Sequence, residues 1–224
     1  MRMLRIRRGE PTETRRLGAF SDSVFAVAIT LLVLDLSRIH ANPYATPPVS
    51  LFQSMASDWP TLLAFAGAFG FIGVAWTHHH GVFVRVKGVS RALNAANLVL
   101  LGTIIMVPWA TSSLAAALGD SADPAARQAV LLYAAVIMAC ALTWGLLYHV
   151  LGSNPGLLSD PTHAPGFLAD RTGTLIALGT TAIAAAIGYF WSPIAGAILF
   201  AIVPVIFAVA SEGFFWDEQS GVTK

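Results

Sequence analysis

Six long apolar segments constrain the fold of this chain more than any other feature of its sequence. An α-helix needs about 20 apolar residues to cross a bilayer, and the segments at 17–36, 59–77, 93–118, 126–151, 172–191 and 194–210 are near that length. The chain is 56% hydrophobic and only 11% charged, against about 25% charged in average soluble proteins. The sequence therefore predicts an all-α integral membrane protein with six transmembrane helices in one domain, residues 1–224.

A carboxylate, Asp22, stands near the start of the first apolar segment, where an unpaired charge is costly. Ser21 or Asp22 could be an N-cap, with the helix beginning after it. A helix over residues 23–36 would then be about 21 Å long, too short for a hydrocarbon core of about 30 Å. We therefore expect the helix to begin near residues 12–15 and to carry Asp22 inside it.

The positions of Lys and Arg predict the orientation of the chain in the membrane. With six spans, both terminal tails and the links after the second and fourth segments lie on one side. These parts hold 11 of the 13 basic residues, and only Arg38 and Arg127 lie opposite. Both termini are therefore expected to be cytoplasmic.

Glycine and proline punctuate the apolar segments. Gly67, Gly70 and Gly73 are spaced three apart. They either let another helix backbone approach closely or reflect the ordinary abundance of glycine in membrane helices. Pro108 is expected to bend the third segment, and the turn-rich link over residues 152–171 is expected to be a flexible connection.

The order of Arg16, Phe20-Ser21-Asp22 and a long apolar run resembles the first helix of a known channel family. That family comprises the lysosomal potassium channel called transmembrane protein 175 and its bacterial relatives. Trp76-Thr77-His78-His79-His80 is similar to the end of the family's second helix. Asn97 with Pro108-Trp109 resembles the pattern of its third helix.

The resemblance implies that polar residues of the second and third helices hold the first-helix motif near the cytoplasmic end. Arg16 and Asp22 lie about 120° apart around an ideal helix, so each needs partners on other helices. The expected structural polar network comprises Arg16, Ser21, Asp22, Trp76, His79, His80 and Asn97. The alternative is a first-turn carboxylate favoured by the helix dipole, with an arginine that extends to the interface.

The sequence lacks the Thr-Val-Gly-Tyr-Gly carbonyl filter of common potassium channels, and Gly188-Tyr189-Phe190 is only a fragment of it. The resemblance instead implies a pore lined by the first helix of each subunit and narrowed by aliphatic side chains. Val27, Leu31 and Leu34 are the expected constriction, with Thr30 as the pore hydroxyl. The Thr30 hydroxyl could also bond back to the carbonyl four residues earlier.

Three consecutive histidines, His78 to His80, raise the possibility of a zinc site. Consecutive side chains point about 100° apart on a helix, so three in a row cannot close on one ion. We expect no metal and no cofactor. No nucleophile-elbow, zincin or Walker motif occurs in the sequence, so we expect no enzymatic activity. No basic patch interleaved with aromatic residues suggests a nucleic-acid partner.

One chain supplies one pore-lining helix, and a continuous path needs several. The resemblance makes the assembly a homotetramer. We therefore expect a potassium-preferring cation channel of the cell membrane, with potassium ions and the lipid bilayer as partners. Two alternatives stay open: a proton- or ion-coupled secondary transporter with Arg16, Asp22 and His79 as a relay, and a non-conducting membrane scaffold.

Overall fold

The computed structural model describes residues 11–37, 39–119, 124–169 and 171–210, and within these ranges it is almost entirely helical. The α-helices are α1 (Pro11–Leu36), α2 (Leu51–Ser57), α3 (Trp59–Val84), α4 (Arg91–Ile104), α5 (Val107–Leu118), α6 (Pro124–Gly152), α7 (Ala164–Ala169), α8 (Arg171–Phe190) and α9 (Pro193–Ala210). Two short 3₁₀ helices, Pro155–Leu157 and Pro161–His163, lie between α6 and α7.

Five helical stretches in the described ranges are long and apolar enough to cross a membrane. They are α1, α3, α4 with α5, α6, and the stretch that ends with α8. The 18 residues of α9 span about 27 Å, close to the thickness of the hydrocarbon core. Each of the six predicted segments thus coincides with a helix or helix pair, and the all-α membrane fold is confirmed.

Asp22 lies in the interior of the first helix. Because α1 begins at Pro11, the interpretation of Ser21 or Asp22 as an N-cap is wrong. Its buried residues are Ser21, Phe25, Ala28 and Leu32. Their spacing forms one stripe along the helix, and α1 packs on α3, α4 and α5. This stripe fixes which face of α1 points into its own subunit.

Pro108 interrupts the third transmembrane segment, as predicted. The segment divides at Ile105 and Met106 into α4 and α5, and Pro108 lies in the first turn of α5. Proline has no N–H to donate, and its ring clashes with the carbonyl four residues earlier. The interruption gives the segment two separate helices, and both of them contact α1.

Of the three evenly spaced glycines in α3, only Gly67 closely approaches another helix among the described residues of the subunit. A Cβ atom at Gly67 would lie 2.8 Å from the Cβ of Ala201 on α9, whereas Gly70 and Gly73 have open space around them. Positions three apart drift by about 60° around a helix. The close approach therefore occurs at a single level of α3.

Gly188 belongs to a helix contact between α8 and α9. A Cβ atom at Gly196 would lie 2.7 Å from the Cα of Gly188. Trp191 and Ser192 form the tight connection between the two helices. The glycine of the Gly188-Tyr189-Phe190 fragment thus allows close helix packing.

The link between α6 and α8, over its described residues, is bonded to the α3–α4 link. Val86 and Leu158 form an antiparallel bridge, and the Lys87 N–H donates to the Leu157 carbonyl over 2.8 Å. Leu157, Leu158 and Phe167 are buried. Backbone hydrogen bonds and apolar burial together hold this link against the α3–α4 link.

Candidate functional site

A buried chain of hydrogen bonds joins α1, α3 and α4, and it meets α1 at Ser21, inside that helix. His79 on α3 donates from Nε2 to the side-chain oxygen Oδ1 of Asn97 on α4 over 2.8 Å. The Asn97 amide donates to Ser21 Oγ on α1 over 3.0 Å, and Ser21 donates to the Leu17 carbonyl over 2.9 Å. His79, Asn97 and Ser21 are almost fully buried. Each of these three donors meets an acceptor, so the buried polar side chains keep their hydrogen bonds.

Aromatic side chains enclose the His79 ring. Phe83 stacks on it at 4.2 Å between ring centres, and Phe25 of α1 lies 5.3 Å away. Trp144 of α6 contacts it edge-on at 6.3 Å. Since these rings restrict the imidazole on several sides, they help to hold it in position for Asn97.

A second contact to α1 holds Asp22. The indole Nε1–H of Trp76 donates to Asp22 Oδ1 over 2.9 Å. The acceptor is a carboxylate, which makes such a hydrogen bond stronger than one between neutral groups. The His80 ring lies 6.1 Å from the Trp76 ring. Asp22, Trp76 and His80 therefore form a partly exposed group beside the buried chain.

Arg16 stands apart from both groups. Its side chain is exposed, and no hydrogen bond or ion pair joins it to another described residue. The single subunit therefore brings together six of the seven residues of the predicted network. A role for Arg16 in that network stays a prediction.

A further polar contact near the C-terminal end of α1 was not predicted. Ser112 of α5 donates to Asp35 Oδ1 over 2.7 Å. Asp35 lies 14 residues after Ser21, or about 20 Å along the helix. An acidic residue closing the apolar run of the first segment was the available sequence signal, but nothing in the sequence identified Ser112 as its partner. The α1 helix is thus bonded to its own subunit at Ser21, inside the helix, and at Asp35, near its C-terminal end.

The four residues predicted to line a pore share an uncovered side of α1. Val27, Leu31 and Leu34 are 53%, 41% and 65% exposed. Thr30 is exposed too, and its hydroxyl donates to the Val27 carbonyl over 2.8 Å. This back-bond runs to the carbonyl three residues earlier, where a bond four residues back was considered. The subunit alone covers none of these side chains fully.

The histidines of α3 point in different directions. His79 faces Phe25 and Phe83, while His80 faces Trp76. Within the part of the chain that the structure describes, no group of three or more His, Cys, Asp or Glu side chains could hold a metal ion.

Fold and site together define a class: a multi-pass helical membrane protein whose first helix is bonded to its own subunit at two levels and leaves an apolar face uncovered. A family model described as endosomal/lysosomal potassium channel TMEM175 matches residues 16–108. A protein named potassium channel from Streptomyces collinus (strain DSM 40733 / Tue 365) is 40% identical over 160 residues, 71% of this chain and 74% of that protein. The chain belongs to the TMEM175 family.

A relative and a solved structure, both from Chamaesiphon minutus, agree with this assignment. A potassium channel of strain ATCC 27169 / PCC 6605 is 40% identical over 151 residues, 67% of this chain and 72% of that protein. A crystal structure of a lysosomal potassium-selective channel TMEM175 homolog matches with a TM-score of 0.73 and 30% identity, covering 88% of this chain and 97% of that one. TMEM175 is an ion channel family, so the predicted family and the predicted lack of enzymatic activity are confirmed.

Proposed function

We propose that this protein is a potassium-preferring cation channel of the cell membrane. It works as a homotetramer in which α1 of each subunit lines the pore. The observation that carries the proposal is the division of α1 into two faces. Phe25 and Leu32 are 1% exposed, whereas Leu34 on the other face is 65% exposed. One face is fixed in the subunit and the other is free to meet equivalent helices.

Lipid could also cover an apolar face, so exposure alone does not identify a pore. The relatives from Streptomyces collinus and Chamaesiphon minutus are named potassium channels, and the matching crystal structure is described as potassium-selective. These names support ion conduction by this chain. The absence of a carbonyl-filter sequence supports a path controlled by side chains.

In the proposed pore, four copies each of Val27, Leu31 and Leu34 form the narrowest part. A pore wall made of aliphatic side chains repels water, and such constrictions gate by dewetting. Their radius depends on how α1 is rotated about its own axis. The hydrogen bonds of Ser21 and Asp35 to other helices oppose that rotation. Fixed polar contacts at two levels can therefore set the geometry of an apolar constriction between them.

The proposed orientation places both termini in the cytoplasm, since 11 of the 13 basic residues lie on that side. The Ser21–Asn97–His79 chain then lies toward the cytoplasmic end of α1. Asp35 and Ser112 lie toward the outer end.

Serine substitutions on the exposed, pore-lining face of α1 test the proposed pore. Leu31→Ser and Leu34→Ser make the constriction wetter, so we expect a larger basal current and a weaker preference for potassium over sodium. Val33→Ser is the matched control, because Val33 is 54% exposed but points about 110° away from the centre of the pore-lining face. Reversal potentials in mixed potassium and sodium measure the effect.

Both Leu variants with wild-type current and reversal potential, and with protein verified in the membrane, would mean that α1 does not line the path. Current without any coupled ion gradient distinguishes a channel from a secondary transporter. A lack of all flux from reconstituted wild-type protein would favour a scaffold.

A further inference from the structure

A cavity of about 290 Å³ lies where the α3–α4 link meets the link before α8. It is lined by Arg85, Thr162, His163, Gly166 and Phe167. Its volume is near the lower end of the range for small-molecule sites, about 300 Å³. Arg85 directly follows α3, and Phe167 lies on α7 shortly before α8. The cavity is therefore at the ends of membrane-spanning helices, close to the level of lipid headgroups.

The two links that form the walls are bonded to each other. The Ser159 N–H donates to the Arg85 carbonyl over 2.8 Å, and Val86 pairs with Leu158 in the antiparallel bridge. Phe167 is 3% exposed. Backbone hydrogen bonds and a buried aromatic residue thus fix the positions from which the polar side chains project.

The charge of the lining favours an anion. Arg85 is exposed, and no carboxylate among the described residues pairs with it. No acidic residue is among the described residues that line the cavity. The acidic residue nearest in sequence, Asp160, accepts hydrogen bonds from the Thr162 hydroxyl and N–H over 2.7 and 2.9 Å. These bonds hold the pKa of Asp160 below its usual range, so its negative charge persists beside the cavity and opposes anion binding.

We propose that this cavity binds a phosphate group, with Arg85 as the charged contact and His163 as a second donor. A guanidinium presents several N–H groups in a plane, which suits phosphate oxygens. The phosphate could belong to the headgroup of an anionic phospholipid or be free in solution. The position at the membrane boundary favours the lipid, since basic pockets between transmembrane helices bind anionic headgroups.

Lipid binding to the intact, purified protein tests the proposal. Native mass spectrometry measures retention of phosphatidylglycerol against phosphatidylcholine, and thermal unfolding measures the response to inorganic phosphate against chloride at equal ionic strength. We expect Arg85→Gln to weaken binding of the phosphate-bearing probe by roughly tenfold, as for the loss of one charge-assisted contact. Lys87→Gln is the control, because Lys87 is exposed on the same link but does not line the cavity.

A variant with the opposite expected effect guards against misfolding of Arg85→Gln. Asp160→Asn keeps an oxygen acceptor for Thr162 and removes the negative charge, so binding should become tighter. Phosphatidylglycerol that inorganic phosphate cannot displace identifies the lipid as the source, while stabilisation by inorganic phosphate alone identifies the free anion. Equal binding by Arg85→Gln and Lys87→Gln overturns the proposal. If Arg85→Gln does not fold, unchanged binding by Asp160→Asn overturns it.

Discussion

At the scale of residues, the position of α1 depends on a few polar groups in apolar surroundings. Ser21, Asn97 and His79 are buried. Hydrogen bonds join His79 to Asn97 and Asn97 to Ser21. A buried polar group that loses its partner keeps the cost of its desolvation, about 1 to 3 kcal/mol. The middle residue, Asn97, therefore matters most. Its loss leaves His79 Nε2–H without its acceptor and removes the amide donor to Ser21 Oγ, which keeps its own bond to the Leu17 carbonyl.

We predict that Asn97→Ala lowers the stability of the subunit by about 1 to 3 kcal/mol. Double-mutant cycles on hydrogen bonds inside membranes often give smaller values, so the lower half of this range is expected. The thermal unfolding midpoint of the purified protein should fall by several degrees. Asn94→Ala on the same helix is the control, since Asn94 is exposed. Equal midpoints for the two variants would mean that the buried chain contributes no net stability.

The contact between Asp22 and Trp76 allows a double-mutant cycle. Asp22→Ala and Trp76→Phe each remove one partner of the 2.9 Å hydrogen bond, so their combined effect on stability should be smaller than the sum. We expect a coupling energy of about 0.5 to 3 kcal/mol. Oligomer yield and thermal unfolding measure it, and strictly additive effects would show that the two groups do not stabilise each other.

At the scale of elements, helix packing in this protein depends on individual small residues at single levels. Lipid tails are as apolar as the side chains, so helices associate through close packing and hydrogen bonds. Gly67 meets Ala201 of α9, while Gly188 and Gly196 bring α8 and α9 together. The α1 helix uses hydrogen bonds at Ser21 and Asp35 for the same purpose.

Two glycines of α3 give a matched test of this packing. Gly67→Ala would bring its new Cβ to 2.8 Å from the Ala201 Cβ, and such overpacking costs about 1 to 3 kcal/mol. Gly70→Ala meets nothing within 4 Å and should be neutral, or more stable by about 0.5 to 1 kcal/mol because alanine favours helix. Thermal unfolding of both variants decides the matter. A Gly67→Ala protein as stable as Gly70→Ala would contradict the α3–α9 contact.

At the scale of the whole molecule, one subunit leaves the face of α1 with Val27, Leu31 and Leu34 uncovered. Arg16 is exposed as well and has no partner among the described residues of its own chain. Both features fit the proposed tetramer, in which other copies surround α1. Arg16→Ala is accordingly expected to lower oligomer yield more than it changes the fold of the subunit.

We predict that chemical cross-linking in mild detergent gives species up to a tetramer, and that a tag at residue 1 is reached only from the cytoplasmic side. The first result follows from the need for several copies of α1 around one path. The second follows from the distribution of Lys and Arg. A monomer in several mild detergents would contradict the first prediction, and a tag accessible only from outside would contradict the second.

The sequence by itself determined the membrane class, the six apolar segments, the effect of Pro108 on the third segment and the family. These properties are local, because each apolar stretch must span the hydrocarbon core on its own and proline acts on its own turn of helix. The motif residues Ser21, Asp22, Trp76, His79 and Asn97 could likewise be selected from their order along the chain.

Only the tertiary structure decided which faces of the helices meet. It paired Asp35 with Ser112, 77 positions apart, selected Gly67 from three equally spaced glycines, and gave Arg16 no hydrogen-bond or ion-pair partner among the described residues. It also joined the link before α8 to the α3–α4 link through backbone hydrogen bonds. Nearly every face of a membrane helix is apolar, so periodicity does not distinguish a face that meets protein from one that meets lipid. That choice depends on packing between helices far apart in sequence.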